Sequence, residues 1–276
     1  MKLAISNIAW ERHEDEAVAS VMKRLGVTGV EIAPTKVWPS PLTASEADAL
    51  AYRRWWEDRG IRIVAMQSLL FGRPDLVIFG DEYVRAETFE YLAGMIRLGG
   101  WLGARALVFG SPKNRQVGGL PEEEVDRIAV PFFRGLGDLA ASCGTCLCIE
   151  PNPTAYACDF LTTSGDALAF VERVGNDGVG LHLDVAGMTL SGEPVDRAIA
   201  RAAGAIRHFH ASEAFLDAIG AGTVDHARFS AALAGVPYRN WVSIEMRGGN
   251  DGRNVARVET ALASVLLQYH SVLSLP

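Results

Sequence analysis

Long apolar runs are missing from this chain. No segment reaches 18 consecutive apolar residues, so nothing is built to span a bilayer. Excess positive charge is missing too: 26 Lys and Arg stand against 33 Asp and Glu, a formal net charge of −7. Nucleic acid or an anionic membrane surface would call for basic patches, so neither is expected as a partner. No charged leader with a long apolar stretch precedes the first strand-like run, Leu3-Ala4-Ile5-Ser6-Asn7. No secretory signal is therefore visible, and the expected compartment is the cytoplasm. Low-complexity tracts, linkers and sharp composition shifts are absent, so one domain over residues 1–276 is expected. Cysteine is scarce and clustered, at Cys143, Cys146, Cys148 and Cys158. Side chains alternate along a strand, which puts Cys146 and Cys148 on one face as small buried thiols; disulfides or a zinc site are not expected.

What recurs is a unit: a short apolar run, a polar or glycine-rich loop, then an amphipathic helix. Strand-like runs cover 3–7, 29–34, 62–69, 106–111, 146–152, 179–185, 206–212 and 241–247. Their near-continuous hydrophobicity suits parallel strands covered on both faces. Between them, Asp81 is placed to cap a helix carrying Val84, Tyr91, Met95, Leu98 and Leu102. Pro121 followed by three glutamates marks another helix start, and Pro131 should kink or restart that helix. Gly26, Gly60 and Gly103 sit where helices should end, and 255–273 reads as a closing helix. Eight such units in 276 residues predict an α/β protein, a closed (β/α)8 TIM barrel. The alternative, a doubly wound open sheet, would be expected to carry a Gly-x-Gly-x-x-Gly turn after a strand, and none is present.

Near the ends of the last four runs stand Glu150, Asp184, His210 and Glu245. An unpaired charge at the end of a buried strand costs several kcal/mol. Singly, each residue has a bland reading, such as Asp184 capping the next helix or His208 and His210 as satisfied core histidines. Together they fall at equivalent places in four consecutive units, and a barrel gathers such places at one mouth. Three carboxylates and one imidazole converging there require a cation. The set suits a hard or borderline ion, with Mn²⁺, Mg²⁺ or Co²⁺ ahead of Zn²⁺, which prefers more nitrogen or sulfur.

The runs Ile149-Glu150-Pro151-Asn152, His182-Leu183-Asp184, His208-Phe209-His210-Ala211-Ser212-Glu213 and Ser243-Ile244-Glu245-Met246 resemble the xylose-isomerase-like sugar isomerase/epimerase superfamily. That superfamily includes ketose 3-epimerases, hydroxypyruvate isomerase and inosose dehydratase, and the resemblance covers nearly the whole chain. It implies one divalent metal on Glu150, Asp184, His210 and Glu245, with Glu150 and Glu245 as the acid/base pair. It implies an isomerase or epimerase of sugars or sugar phosphates, working through proton abstraction beside a carbonyl and a metal-stabilised enediolate. The alternative is a dehydratase of an inosose- or dehydroshikimate-like substrate on the same metal. Many ketose 3-epimerases carry a second His three residues after the strand-six Asp, where this chain has Gly187. The substrate-contacting Arg after the strand-seven motif has no counterpart in Ala214-Phe215-Leu216. Members often form dimers or tetramers, but no interface signature is legible.

For a sugar or polyol substrate, Glu31 and Gln67 are candidate hydroxyl contacts, and Asn152 and His182 candidate supporting groups. Lys113 and Arg247 are candidates to hold a phosphate or carboxylate, while Arg115 is expected to pair with loop acids. Trp10, Trp38 and Phe71 follow strands one to three and either stack on a sugar or close the barrel mouth. A multi-zinc endonuclease of the same fold would need histidines after strands three and four, where Gln67-Ser68 and Gly110-Ser111 stand. A non-catalytic sugar-binding barrel would not need the full ligand set.

Overall fold

In the computed structural model, which describes residues 1–222 and 224–273, eight parallel strands close on themselves in chain order. They are β1 (Lys2–Ser6), β2 (Gly29–Ile32), β3 (Arg62–Met66), β4 (Ala106–Phe109), β5 (Leu147–Ile149), β6 (Val179–Asp184), β7 (Ile206–Ser212) and β8 (Trp241–Glu245). The last pairs with the first, Ala4 facing Ser243 and Ile5 facing Ile244, so the sheet has no open edge. Each strand lies where an apolar run is expected, though β2, β3, β4, β5 and β8 end two to three residues early.

Around the sheet run α1 (Asp15–Arg24), α2 (Glu46–Glu57), α3 (Glu82–Leu102), α4 (Glu122–Ser142), α5 (Ser164–Val174), α6 (Val185–Leu190), α7 (Val195–Ala202), α8 (His226–Ala234) and α9 (Asn254–Gln268). Asp81 caps α3 by accepting from the Val84 amide at 2.9 Å. Gly103 ends α3 in the left-handed conformation (φ 77°), a region where a side chain is strained. Pro131 does not restart α4, which runs unbroken from 122 to 142 with the proline on its exposed side. The closing helix stops at Gln268, short of the expected 273.

The apolar material forms two bodies. A large one fills the space between strands and helices, with Ile5, Val30, Phe109, Leu147, Leu181, Phe209 and Val242 on the sheet side. A small one of Ala4, Val64, Ala65, Ala106, Cys146 and Cys148 fills the lower lumen, with Trp241 packed against it. All four cysteines are free. Small side chains below leave the upper lumen to polar groups. No helix among the described residues is long and apolar enough to cross a membrane.

Candidate metal centre

Strand register brings the four candidate ligands together. Asp184 is the direct neighbour of His210 across β6 and β7, and Ser212 of Glu245 across β7 and β8. Glu150 follows β5 by one residue. One ligand atom from each of Glu150, Asp184, His210 and Glu245 lies within 4.8 Å of the others. The Glu150 and Glu245 side chains remain 14% and 16% exposed to the cavity above, while His210 is buried.

The Asp184 carboxylate is held from behind. Asp184 Oδ1 accepts from the Gly187 amide at 2.6 Å, so it also caps α6, and Oδ2 accepts from the Ser212 hydroxyl. The capping and the clustering roles thus coexist in one side chain. The Glu150 carbonyl accepts from the Arg115 guanidinium at 2.7 Å. Arg115 is itself fully buried and lies by the Phe109 ring, so it does not pair with loop acids as expected. Asn152 reaches the Gly110 carbonyl at 2.9 Å.

Charge crowding is evident in the acidities. Burial, then the nearby Glu245 and Asp184 charges, push Glu150 up to about 8. Burial and the Glu245 charge push Asp184 up to about 6. Burial opposes a charged His210, yet the Glu31 and Glu245 carboxylates on either side raise it well above the usual histidine range. Its Nε2 lies 2.9 Å from Glu31 Oε2, and its Nδ1 3.3 Å from Glu245 Oε2. Burial should also raise Glu31, but the adjacent His210 and His208 draw it well down. An ionised carboxylate only accepts, so Glu31 faces a proton of His210 on Nε2, and it is Nδ1, beside Glu245, that would have to give up its proton to serve the cluster as a donor. Three buried carboxylates that resist being charged together, plus one oriented imidazole, fit a divalent cation by donor chemistry. These four side chains could hold such an ion.

Above the cluster opens a cavity of about 660 Å³. Gln67, Lys113, Asn152 and Arg247 line it, as do Glu150, Asp184 and Glu245. Gln67 is 2% exposed, and neither its amide oxygen nor its nitrogen has a hydrogen-bond partner. Lys113 and Arg247 make no ion pair among the described residues, whereas Arg73 is spent on Asp75 at 2.6 Å. Glu31 and His182 are not on the wall. Glu31 is fully buried behind His210, where its Oε2 also accepts from Ser243 at 2.6 Å. His182 is fully buried below, its Nε2 3.7 Å from Glu150 Oε1. Of the aromatic residues after strands one to three, only Phe71 faces the cavity. Trp10 is buried and donates to Asp15 at 2.7 Å, and Trp38 packs edge-on against Tyr52.

Sequence reasoning missed Tyr156 and Phe215. Their rings meet edge-on at 5.4 Å on the cavity wall, and the Tyr156 hydroxyl accepts from the Phe215 amide at 3.1 Å. Phe215 and Leu216 both have positive φ, 59° and 62°, an uncommon backbone for such side chains and of the kind found at ligand sites. The Leu216 carbonyl accepts from the Arg247 amide at 2.9 Å, which ties that bend to the end of β8. No local pattern in the sequence marks this bend. A second depression, of about 750 Å³, lies at the opposite end of the barrel by Arg62, Arg105 and Trp241, away from the carboxylates.

A family model described as "Xylose isomerase-like TIM barrel" matches residues 19–266. An L-ribulose 3-epimerase of Mesorhizobium japonicum (strain LMG 29417 / CECT 9101 / MAFF 303099) is 36% identical over 90 residues. That match spans 33% of this chain and 30% of the relative's length. An L-ribulose 3-epimerase of Methylomonas sp. (strain DH-1) is 25% identical over 223 residues, 80% of this chain and 74% of that one. Among solved structures, a D-psicose 3-epimerase with D-tagatose from Clostridium cellulolyticum H10 superposes with a TM-score of 0.79 at 18% identity. That superposition covers 99% of this chain and 100% of the other, a likeness of fold.

Proposed function

The chain belongs to the xylose isomerase-like TIM barrel family, and within it we propose a divalent-metal-dependent sugar epimerase or isomerase acting by proton abstraction beside a carbonyl. The observation that carries this reading is the placement of two partly exposed glutamates, Glu150 and Glu245, on the cavity floor. Both belong to a cluster whose ligand atoms lie within 4.8 Å of one another. The relatives named as L-ribulose 3-epimerases support the same reaction class.

Glu150, Asp184, His210 and Glu245 hold the ion in this reading, and their oxygen-rich donor set favours Mn²⁺, Mg²⁺ or Co²⁺. When bound, the ion supplies Lewis-acid stabilisation to the negative charge that develops on the substrate as the C–H beside its carbonyl is broken. Of Glu150 and Glu245, one removes that proton and the other delivers one. Delivery to the opposite face of the same carbon gives epimerisation; delivery to the adjacent carbon gives aldose–ketose isomerisation. Burial favours both roles by bringing carboxyl acidity toward neutrality, as at Glu150.

The remaining residues position and select. Gln67, with an unpartnered amide facing the cavity, binds a sugar hydroxyl. Asn152 fixes the strand-four end against which Glu150 rests. Lys113 and Arg247, which make no ion pair among the described residues, accept an anionic group where the substrate carries one. Glu31 and His182 act through His210 and Glu150 rather than by touching substrate. Four free thiols suit a reducing compartment, the cytoplasm.

The variant Glu245→Gln tests the acid/base assignment. We expect most of the metal binding to survive and turnover to fall by about 10²–10⁴-fold, the usual contribution of a positioned acid or base. Near-wild-type turnover in that variant would remove Glu245 from the chemistry.

A further inference from the structure

Against the cavity above the carboxylates lies a second one that the proposed reaction does not use. It measures about 420 Å³, and Thr35, Ser40, Leu42 and Tyr91 line it. Phe71, Gly72 and Arg73 line both cavities, so the two adjoin along one stretch of chain. That stretch follows β3, and residues 35–42 follow β2, which places the second cavity at the carboxylate end of the barrel. Apolar surface is concentrated there. Of seven exposed large apolar side chains among the described residues, Leu42, Phe71 and Phe215 line these two cavities. Phe71 is 69% exposed, yet its backbone is fixed. Its amide donates to the Ser68 carbonyl at 3.0 Å, and the Arg73 amide to the Leu70 carbonyl at 3.1 Å. A grouped apolar surface of this kind, held out to water beside a cavity, marks a place where a ligand covers it.

The lining says which ligand. Arg73 is the one charged residue in the second cavity, and Asp75 engages it at 2.6 Å while its guanidinium lies over the Tyr91 ring. An anionic group therefore finds no free cation there. What the cavity offers is apolar faces, from Phe71 and Leu42, and hydroxyls, from Thr35 and Ser40. A neutral sugar ring matches both, with C–H groups on its face and hydroxyls at its edge. Size points the same way. Pockets of about 300–1,000 Å³ take drug-sized molecules, and the first cavity alone is about 660 Å³. A single sugar reacting at the cluster leaves the second cavity unfilled.

We infer that the substrate is a two-ring saccharide: one sugar reacts at the carboxylate cluster, and a second, uncharged ring joined to it rests on Phe71 in the cavity of Thr35, Ser40, Leu42 and Tyr91. Which ring reacts rests on the proposed function of the cluster. The seat for the other ring stands on the second cavity itself. Phe71 sits between the two and is a specificity-determining residue, because its ring is shared by both cavities.

Saturation-transfer NMR tests this on the full-length protein with Mn²⁺, using D-fructose, isomaltulose and lactulose as probes. The last two are D-fructose carrying a second neutral hexose ring. At least one of them should bind about tenfold or more tighter than D-fructose, the scale of burying one apolar ring face. Its second ring should receive saturation from aromatic protons. Ser40→Trp fills the second cavity from an exposed position, and Phe71→Ala removes the shared ring. With folding checked by melting curves, each variant should bring the affinity ratio of disaccharide to fructose to about one. A ratio of about one in the wild type, or a ratio unmoved in both variants, would overturn the inference. So would a wild type that sediments as a dimer and Phe71→Ala as a monomer, with the ratio at one, since a second copy would then cover the ring. Solvent deuterium entering the same sugars reads the proposed reaction separately. Deuterium in fructose without any disaccharide preference would remove the seat and leave the reaction. A disaccharide preference without deuterium entry would leave the seat and remove the reaction.

Discussion

Gly110 has no side chain because Glu150 occupies the space. A Cβ built there would sit 1.9 Å from Glu150 Oε2 and 3.2 Å from its Cδ. Gly110→Ala should therefore fold but push the carboxylate out of the cluster. Calorimetric titration should show Mn²⁺ affinity reduced by about 10–100-fold, the scale seen when a supporting group is lost; unchanged affinity would show that Glu150 is not a ligand. The same crowding sets a pH dependence. Without an ion, Glu150 titrates at about 8 and His210 well above the usual histidine range, so both hold a proton at neutrality. Ligands must be deprotonated to bind, so Mn²⁺ should displace up to about two protons at pH 7. Its apparent affinity should climb as pH rises through about 8, and a flat profile would contradict the assignment. At this scale the four cluster residues were legible, because charge at the end of an apolar run is costly and rare. Glu31 was not, because the register shift between Val30 and Glu31 that accompanies its place behind His210 leaves no mark in the sequence.

At the scale of the element, the strands were legible in place and less so in extent. Gln67 follows β3 by one residue and Glu150 follows β5 by one, so these polar groups sit at the first turn of chain above the ladder. The expectation that Pro131 would kink α4 or restart it rested on a local rule, and the helix does not restart there. Apolar contacts of Phe132, Phe133, Leu136 and Ala140 against the core hold the helix through it. The proline still lacks an amide to donate and faces solvent. Pro131→Ala should therefore stabilise the protein by about 1–2 kcal/mol, the gain in helix being partly offset by a less restricted unfolded chain. A melting temperature that is unchanged or lower would show that the proline ring is accommodated without cost. The bend at Phe215 and Leu216 is the opposite case: its positive φ values follow from contacts with Tyr156 and Arg247, which are distant in sequence.

For the whole molecule, closure of the sheet is what turns sequence spacing into chemistry. Residues about one unit apart in the chain become neighbours around a ring, which is why the convergence of Glu150, Asp184, His210 and Glu245 could be expected before the fold was known. The cavity wall could be read only in part, Gln67, Lys113, Asn152 and Arg247 but not Tyr156 or Phe215, because it is assembled from loops whose course the strands do not dictate. The 214–216 segment departs from the pattern that the resemblance to ketose 3-epimerases implies, and there Phe215 and Leu216 line the wall beside Tyr156. The central claim is proton exchange beside a carbonyl, dependent on the four-residue cluster. It is tested most directly by NMR of chelator-stripped protein resupplied with Mn²⁺ in D₂O, offered ketoses, aldoses, their phosphates and inososes. Solvent deuterium should enter one substrate at a single carbon beside the carbonyl, only with Mn²⁺ present and not in Glu245→Gln. Deuterium entry that is indifferent to Mn²⁺ or to Glu245, or none in any sugar while Mn²⁺ is bound, would contradict it.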